Sequence, residues 1–142
     1  YKRRVTLGAK EAMDYLAGGE KPAGKGQIME EIHWMRHRYA PKPAAVISVD
    51  RLALFGKEDH ALRMTFDFDP RGRMDDLDLR LGDRGEPLLP DGMVLMELKV
   101  NGAAPLWLAE ILSRRKIYPR SFSKYGTCYR RELNRRAGKE ER

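Results

Sequence analysis

The sequence predicts an α+β domain in which helices pack on one side of an antiparallel sheet. Residues 62–68 and 93–100 alternate apolar and polar side chains, which is the pattern of half-buried strands. Helical patterns cover residues 10–17 and 28–39, and another begins at Pro105. With 142 residues, of which 42% are hydrophobic, the chain has the size and composition of one domain with a core.

The first two predicted helices lie in the N-terminal third of the chain. Residues 10–17 are good helix formers, and the Gly18-Gly19 pair after them is a typical C-terminal stop. Residues 28–39 place apolar side chains at positions i, i+4 and i+7, so this helix has one apolar stripe, and two prolines end it.

Two strands are predicted in the middle of the chain. Residues 44–54 are rich in β-branched side chains up to a glycine. In residues 62–68, alternation sends the apolar side chains to one face, which we expect to be the core, and sends Arg63, Thr65 and Asp67 to the other.

The region that follows combines turns with a further strand. Residues 69–73 read as a turn because they contain proline and glycine, and residues 75–92 read as a variable loop or hairpin. Residues 93–100 then repeat the alternation, with Glu97 and Lys99 on the same polar side.

The last predicted helix begins at Pro105 and is apolar on more than one face, so we expect it to be well buried. Pro119 ends this segment, and residues 121–129 follow it with a string of hydroxyl groups around Lys124. Hydroxyls and an ammonium group in one short segment favour the binding of an anion.

The charge of the chain favours anionic partners. The formal net charge is +7 and the isoelectric point is about 9.7. Nucleotides, phosphate chains, nucleic acids and acidic membranes all fit such a charge, so the charge alone does not choose among them. Part of it lies in the basic run between Arg130 and Arg142, which is typical of a solvated helix end or a mobile tail.

Cysteine content and hydropathy bear on the compartment. Cys128 is the only cysteine, so the chain forms no internal disulfide, which favours a reducing, cytoplasmic location. No apolar run reaches the ~18 residues of a membrane span. We therefore expect contact with a membrane only through segments outside this chain, at its cytoplasmic face.

A phosphate chain and a divalent metal would fit the polar strand faces. Binding several phosphoryl groups requires converging cations, and a hard metal that bridges their oxygens takes carboxylate ligands. Glu97 is the candidate metal ligand. An ordinary salt-bridged strand surface explains the same pattern, because periodicity does not tell open solvent from a channel. The candidate cations are Arg63, Arg71, Arg73, Lys99 and Lys124.

Four segments of the chain resemble the VTC domain, the catalytic domain of vacuolar transporter chaperone proteins and of their bacterial relatives. They are residues 63–67, 96–100, 105–112 and, above all, 117–127, which include the string Ser-Phe-Ser-Lys-Tyr-Gly-Thr. This family belongs to the triphosphate tunnel metalloenzymes, or CYTH-like proteins. The resemblance implies a polyphosphate polymerase that moves the γ-phosphoryl group of ATP onto a polyphosphate chain, inside an antiparallel β tunnel with packed helices.

The resemblance also implies roles for individual residues. Arg63, Arg73 and Lys124 would bind phosphate oxygens, Ser123 would donate its hydroxyl, and Glu97 would hold Mn²⁺ or Mg²⁺. Arg63, Glu97 and Lys124 form the implied catalytic set. The secondary candidates for contacts in the lumen are Lys2, Arg3, Arg71, Lys99 and Ser121.

The resemblance divides the chain and suggests its partners. Residues 1–131 correspond to the C-terminal portion of the domain, and residues 132–142 form a basic tail. Residues 1–7 read as the end of a strand, so we expect the N-terminal strands of the tunnel to be missing from this chain and the polymerase activity to depend on them. The expected partners are ATP and inorganic polyphosphate, with no specific nucleic acid, and self-association across open strand edges is a further expectation.

Two other functions remain open at this point. A tunnel hydrolase that cleaves triphosphates would use the same basic lumen and metal, with water as the acceptor. A non-catalytic basic module would bind polyphosphate, phosphoinositide or nucleic acid in a salt-sensitive manner, without a metal.

Overall fold

The computed structural model describes residues 2–140, with side chains described to Gly138, and confirms the α+β class. Its sheet has four strands, all paired antiparallel. A single 3₁₀ turn lies at Leu79–Leu81. In chain order the helices and strands are α1 (Ala9–Leu16), α2 (Gly26–Tyr39), β1 (Val46–Phe55), β2 (Arg63–Arg73), β3 (Glu86–Pro87), β4 (Leu95–Lys99), α3 (Leu106–Arg114) and α4 (Lys124–Glu140).

The chain forms two compact units, one ending at Pro43 and the other beginning at Ala44. The first contains α1 and α2, as the sequence predicts, and buries Tyr15 and Met29. The strand end expected at residues 1–7 is not found over residues 2–7, which lead without regular structure into α1; Tyr1 lies outside the described residues.

The second unit is built around β2, the central strand of the sheet. β1 pairs along one side of β2, while β4 and β3 pair along the other, opposite its first and last parts. β1 and β4 do not pair with each other, so residues 2–140 form an open sheet rather than the closed tunnel that the family resemblance implies.

A β-bulge in β2 corrects the prediction of a turn at residues 69–73. Ser48 lies opposite Arg71, but Asp50 lies opposite Phe68, so β2 carries one extra residue at this point. Asp69 adopts a φ of 42° in the bulge, and the bulge accommodates a proline that has no N–H to donate. The strand therefore continues through a segment whose composition is typical of a turn.

The bulge changes the face to which the arginines of β2 point. Opposite β1, Arg63 lies on the same face as Asp67, but Arg71 and Arg73 pair with residues of the other face. We call the face that contains Arg63 and Asp67 the charged face; its members are Arg51, Ala53, Phe55, Arg63, Thr65, Asp67, Leu95, Glu97 and Lys99. We call the second the apolar face; its members are Leu52, Leu54, Met64, Phe66, Met96 and Leu98.

Helix α4, which the sequence analysis did not predict, packs on the charged face. The side chain of Cys128 is buried there against Gly72, where an added Cβ would lie 2.8 Å from the Cys128 sulfur. The hydroxyl oxygen of Ser123 accepts a hydrogen bond from the Gly126 N–H at 3.0 Å, as an N-cap does. A glycine in the strand and a cap before the helix thus fix α4 close to the sheet.

Two predictions of burial hold only in small part. The apolar side chains of residues 62–68 are expected to form the core, but Leu62 is the only one of them that is buried and Phe68 is 41% exposed, because α4 lies on the opposite face. Helix α3 was expected to be well buried, yet Leu108 is its only buried residue and Trp107 is 53% exposed.

The region from Met74 to Leu88 includes the 3₁₀ turn and the short strand β3, which agrees with the loop or hairpin expected there. Within the described residues, no helix combines the length and the apolar character that crossing a membrane would require.

Candidate functional site

Three rows of side chains cross the charged face, and each row takes one residue from β1, one from β2 and one from β4. Adjacent strands lie about 4.8 Å apart, so the members of a row are direct neighbours. The rows are Phe55, Arg63 and Lys99; Ala53, Thr65 and Glu97; and Arg51, Asp67 and Leu95. Cations and carboxylates from separate strands therefore meet on one surface.

Asp67 is the buried centre of this face. Its side chain is 1% exposed, and Arg51 donates to both of its oxygens, from Nε to Oδ1 at 2.5 Å and from Nη2 to Oδ2 at 2.8 Å. Lys124 Nζ lies 2.5 Å from Oδ2. The hydrogen bonds from Arg51, and after them the hydrogen bond and charge of Lys124, lower the pKa of Asp67 to about 2 against the effect of desolvation. Asp67 therefore remains ionised at neutral pH.

Lys124 occupies the first position of α4, where a positive charge faces the positive end of the helix dipole. The ion pair with Asp67 offsets this unfavourable placement. A residue that breaks a local rule and is compensated by a buried partner is typical of a functional position.

Glu97 and Lys99 lie on the same face and form an ion pair with 2.9 Å between Lys99 Nζ and Glu97 Oε1. The pKa of Glu97 is lowered, first by its hydrogen bond with Lys99 and further by the charges of Lys124 and Arg51. The side chain of Glu97 is 45% exposed, so its carboxylate is accessible to a ligand.

Thr65 lies between these two clusters, opposite Glu97 in the register. Its hydroxyl oxygen is buried and has no hydrogen-bond partner among the described residues. A buried hydroxyl without a hydrogen-bond partner lowers the stability of the folded protein, and Thr65 carries such a hydroxyl at the centre of the charged face.

The structure brings together the three residues that the family resemblance implies for catalysis. Arg63 and Glu97 lie in adjacent rows of the charged face, and Lys124 reaches that face from α4. The guanidinium of Arg63 is 5.9 Å from the ring centre of Phe55, its neighbour on β1. Lys99 joins the set as the neighbour of Arg63 on β4.

Arg71 and Arg73 do not join this set, because the bulge turns them to the other face. Arg73 is buried and donates to four backbone carbonyls at 2.7 to 2.9 Å, those of residues 76, 78, 82 and 84. Its guanidinium therefore organises the loop after β2. Arg71 pairs with Asp69 at 2.7 Å.

The remaining candidates are placed separately. Lys2 and Arg3 belong to the first unit, where Lys2 is exposed and Arg3 pairs with Glu31. Ser121 is exposed in the segment before α4, and Ser123 caps that helix through its oxygen, which leaves its O–H able to donate.

Arg51 and Asp67 are members of the site that sequence reasoning missed. Both were placed on strands, but a cross-strand pair is defined by register, and here register depends on the bulge. The available signal was a lone carboxylate on the polar side of a strand, which needs a cation when it is buried.

Among the described residues, no group of three or more histidine, cysteine, aspartate or glutamate side chains could hold a metal ion. Glu97 is thus a single carboxylate ligand at most, because Asp67 has both oxygens occupied by cations. Mg²⁺ and similar ions are commonly held by one or two carboxylates together with substrate phosphates and water, and Glu97 fits that arrangement.

A separate concave region lies beside the middle of α4. It is a cavity of about 840 Å³ between the end of β2, β3 and α4. Its charged side chains are mixed in sign, and Glu132 there pairs with Arg135 at 2.7 Å. Both places hold four cations, but the cavity has three carboxylates where the charged face has two, and its Arg73 is committed to backbone carbonyls. The charged face is therefore the better candidate site for an anion.

Comparison with known proteins gives one family. The model of the family described as the VTC domain matches residues 1–132. No curated protein and no solved structure gives a significant match to this chain.

Proposed function

We propose, because this chain belongs to the VTC domain family, that it is a polyphosphate polymerase domain which transfers the γ-phosphoryl group of ATP to a polyphosphate chain. Membership of the family supports a polyphosphate-related function in general. The polymerase reaction, the divalent metal and the named residues are parts of the proposal.

The observation that carries the proposal is the convergence of cations on the charged face. Arg51, Arg63 and Lys99 come from three different strands, and Lys124 comes from α4. A phosphate chain carries about one negative charge per phosphoryl unit, and arginine forks match pairs of phosphate oxygens. An extended surface of this kind suits a linear polyanion that runs across the strands.

In this proposal Glu97 is the ligand of Mn²⁺ or Mg²⁺. When bound, the metal would neutralise and bridge phosphoryl oxygens. The residues of the chain do the remaining work by holding donor and acceptor in line and by balancing the charge that develops. Phosphoryl transfer depends mainly on such positioning and electrostatic stabilisation, so no protein nucleophile is required.

The test is to incubate the protein with ATP and Mn²⁺ and to measure the chain length of the products by gel electrophoresis. We expect polymer. Orthophosphate alone would favour the tunnel hydrolase. Binding of tripolyphosphate without a metal and without any product would favour the non-catalytic anion-binding module.

Glu97→Gln separates catalysis from binding in the same assay. We expect metal-dependent turnover to be lost while thermal unfolding is unchanged, because Glu97 is half exposed and its loss leaves no buried charge. Glu58→Gln, at an exposed loop position, is the matched control and should keep full activity. Equal activity of Glu97→Gln and the control would refute the metal assignment.

A further inference from the structure

We propose that Asp67 is a positioning residue which holds Arg51 and Lys124 side by side, so that the two cations present their unused donors to a single phosphoryl group. The inference rests on the proposed function, since it names the residue that arranges the same site. Asp67 acts through its two partners and does not touch the ligand.

Asp67 is much more deeply buried than the two cations that it binds. The Asp67 side chain is 1% exposed, whereas those of Arg51 and Lys124 are 43% and 21% exposed. A ligand that approaches the charged face therefore meets the cations first. The carboxylate lies beneath them, as an anchor.

The hydrogen bonds show which donors are available. Arg51 uses Nε and Nη2 on Asp67, which leaves the Nη1 donors without a partner among the described residues. Lys124 uses one of its three ammonium hydrogens on Oδ2 of Asp67. Donors from a strand and from a helix are thereby fixed to a common point.

Without this anchor, the two cations would repel each other. Both are long side chains with many rotamers, and a shared carboxylate at 2.5 to 2.8 Å removes most of that freedom before a ligand arrives. Preorganised donors distinguish ligands by shape, whereas mobile donors respond mainly to charge.

A positioning role and a simple effect of charge predict different outcomes for Asp67→Asn. Asp67→Asn removes a negative charge, so a purely electrostatic role predicts tighter binding of every polyanion to a similar degree. A positioning role predicts that selectivity between polyanions of different geometry is lost. The ratio of two affinities is therefore the quantity to measure.

The experiment uses isothermal titration calorimetry of the whole chain with inorganic tripolyphosphate and with citrate, at constant ionic strength. For Asp67→Asn, we expect the preference for tripolyphosphate to fall about tenfold, as for the loss of about one charge-assisted hydrogen bond. An unchanged ratio, with both anions bound more tightly, would overturn the proposal.

Asp69→Asn is the matched control. It makes the same chemical change on the same strand, but Asp69 is half exposed, pairs with Arg71 and lies in the bulge, where its φ of 42° suits asparagine. We expect its preference for tripolyphosphate to equal that of the wild type. An equal loss in both variants would also overturn the proposal.

A second measurement does not depend on phosphate binding. Reductive methylation of the ligand-free protein, followed by peptide mass spectrometry, reports how firmly each lysine is held. In Asp67→Asn we expect Lys124 to react severalfold faster, while the exposed Lys57 is unchanged. An unaltered rate for Lys124 in the folded variant would contradict the positioning role.

The two measurements separate the two claims. A wild type without any preference for tripolyphosphate, combined with faster methylation of Lys124 in Asp67→Asn, would refute the proposed function and leave the anchoring role in place. If Asp67→Asn does not fold, the charge-balanced double variant Asp67→Asn/Arg51→Gln serves instead, because it removes the buried carboxylate together with one cation that neutralises it. The same increase for Lys124 is expected there, and its absence would count against the proposal.

Discussion

The ionisation of Asp67 makes the stability of the protein depend on pH. The pKa of this carboxyl falls from an ordinary value of 3.8 to about 2 in the folded protein, chiefly because Arg51 donates to it. A lowered pKa stabilises the folded state above the unfolded-state value, and this stabilisation is lost as the pH falls through the folded-state value. It amounts to about 2 kcal/mol at neutral pH.

We therefore expect the difference in unfolding free energy between the wild type and Asp67→Asn to be largest above pH 5 and to shrink between pH 4 and pH 2. The reason is that the wild-type carboxyl becomes protonated there and resembles the neutral asparagine. Urea unfolding at several pH values measures this difference. A constant difference down to pH 2 would show that Asp67 contributes by packing and not by charge.

The unpartnered hydroxyl of Thr65 leads to a prediction of opposite sign. Valine has the same shape without the hydroxyl, so Thr65→Val should raise the free energy of unfolding by about 1 kcal/mol, because it removes a buried unsatisfied group. Urea unfolding at pH 7 tests this. A loss of stability would mean that the hydroxyl has a hydrogen-bond partner in solution, such as a bound water.

At the scale of residues, the sequence predicted which kinds of side chain form the site better than it predicted which of them lie together. Alternation placed Arg63 on one face of β2, and Glu97 with Lys99 on one face of β4, and the register puts these faces together. The family resemblance grouped Arg73 with Arg63, and the structure separates them because one extra residue at Asp69 reverses the facing of everything after it. A bulge is a property of paired strands, so a single strand read alone does not reveal it.

At the scale of elements, the position of α4 on the charged face depends on a close approach to β2. Gly72 makes this approach possible, because an added Cβ would lie 2.8 Å from the sulfur of Cys128 and 3.1 Å from Ile47 Cδ1. The burial of Cys128 against the strand raises the pKa of its thiol. The reactivity of the Cys128 thiol therefore indicates whether α4 is packed against β2.

We expect Gly72→Ala to lower the free energy of unfolding by about 1–3 kcal/mol, as overpacking of a tight contact does. Displacement of α4 should also expose Cys128, so its reaction with a disulfide reagent should be faster. Gly138→Ala is the matched control in α4, since no atom lies within 4 Å of the added Cβ and alanine favours helix. An unchanged thiol reactivity in Gly72→Ala would argue against this account of helix docking.

Helix ends were the most predictable features of the elements. The glycine pair after α1 and the prolines after α2 gave their ends to within about one residue, since both act through local backbone geometry. The sequence does not reveal the start of α4, although Ser123 is a good N-cap, because the hydroxyls around Lys124 equally favour an anion site. The two interpretations are compatible, since the cap uses the hydroxyl oxygen and fixes Lys124 at the helix start.

At the scale of the whole molecule, the α+β class and the open strand edges could both be expected from the sequence, whereas what pairs with those edges could not. The described residues leave the outer edges of β1 and β4 without a neighbouring strand. An open edge offers backbone donors and acceptors to another strand, and closure depends on what pairs there. The net charge of +7 favours anionic partners over the surface as a whole, while the register of three strands decides where the phosphates of the proposed ligand would meet a matched set of donors.

The division of the chain into two units leads to a prediction about the site. Every residue of the Asp67 cluster lies in the unit that begins at Ala44, and so do all four strands and α4. A chain of residues 44–142 should therefore unfold cooperatively and keep Lys124 as slow to methylate as it is in the whole protein, because its anchor is intact. Calorimetry and peptide mass spectrometry measure these two properties. Rapid methylation of Lys124 in the shorter chain would show that residues 1–43 are needed to form the charged face, and that the site belongs to the whole chain.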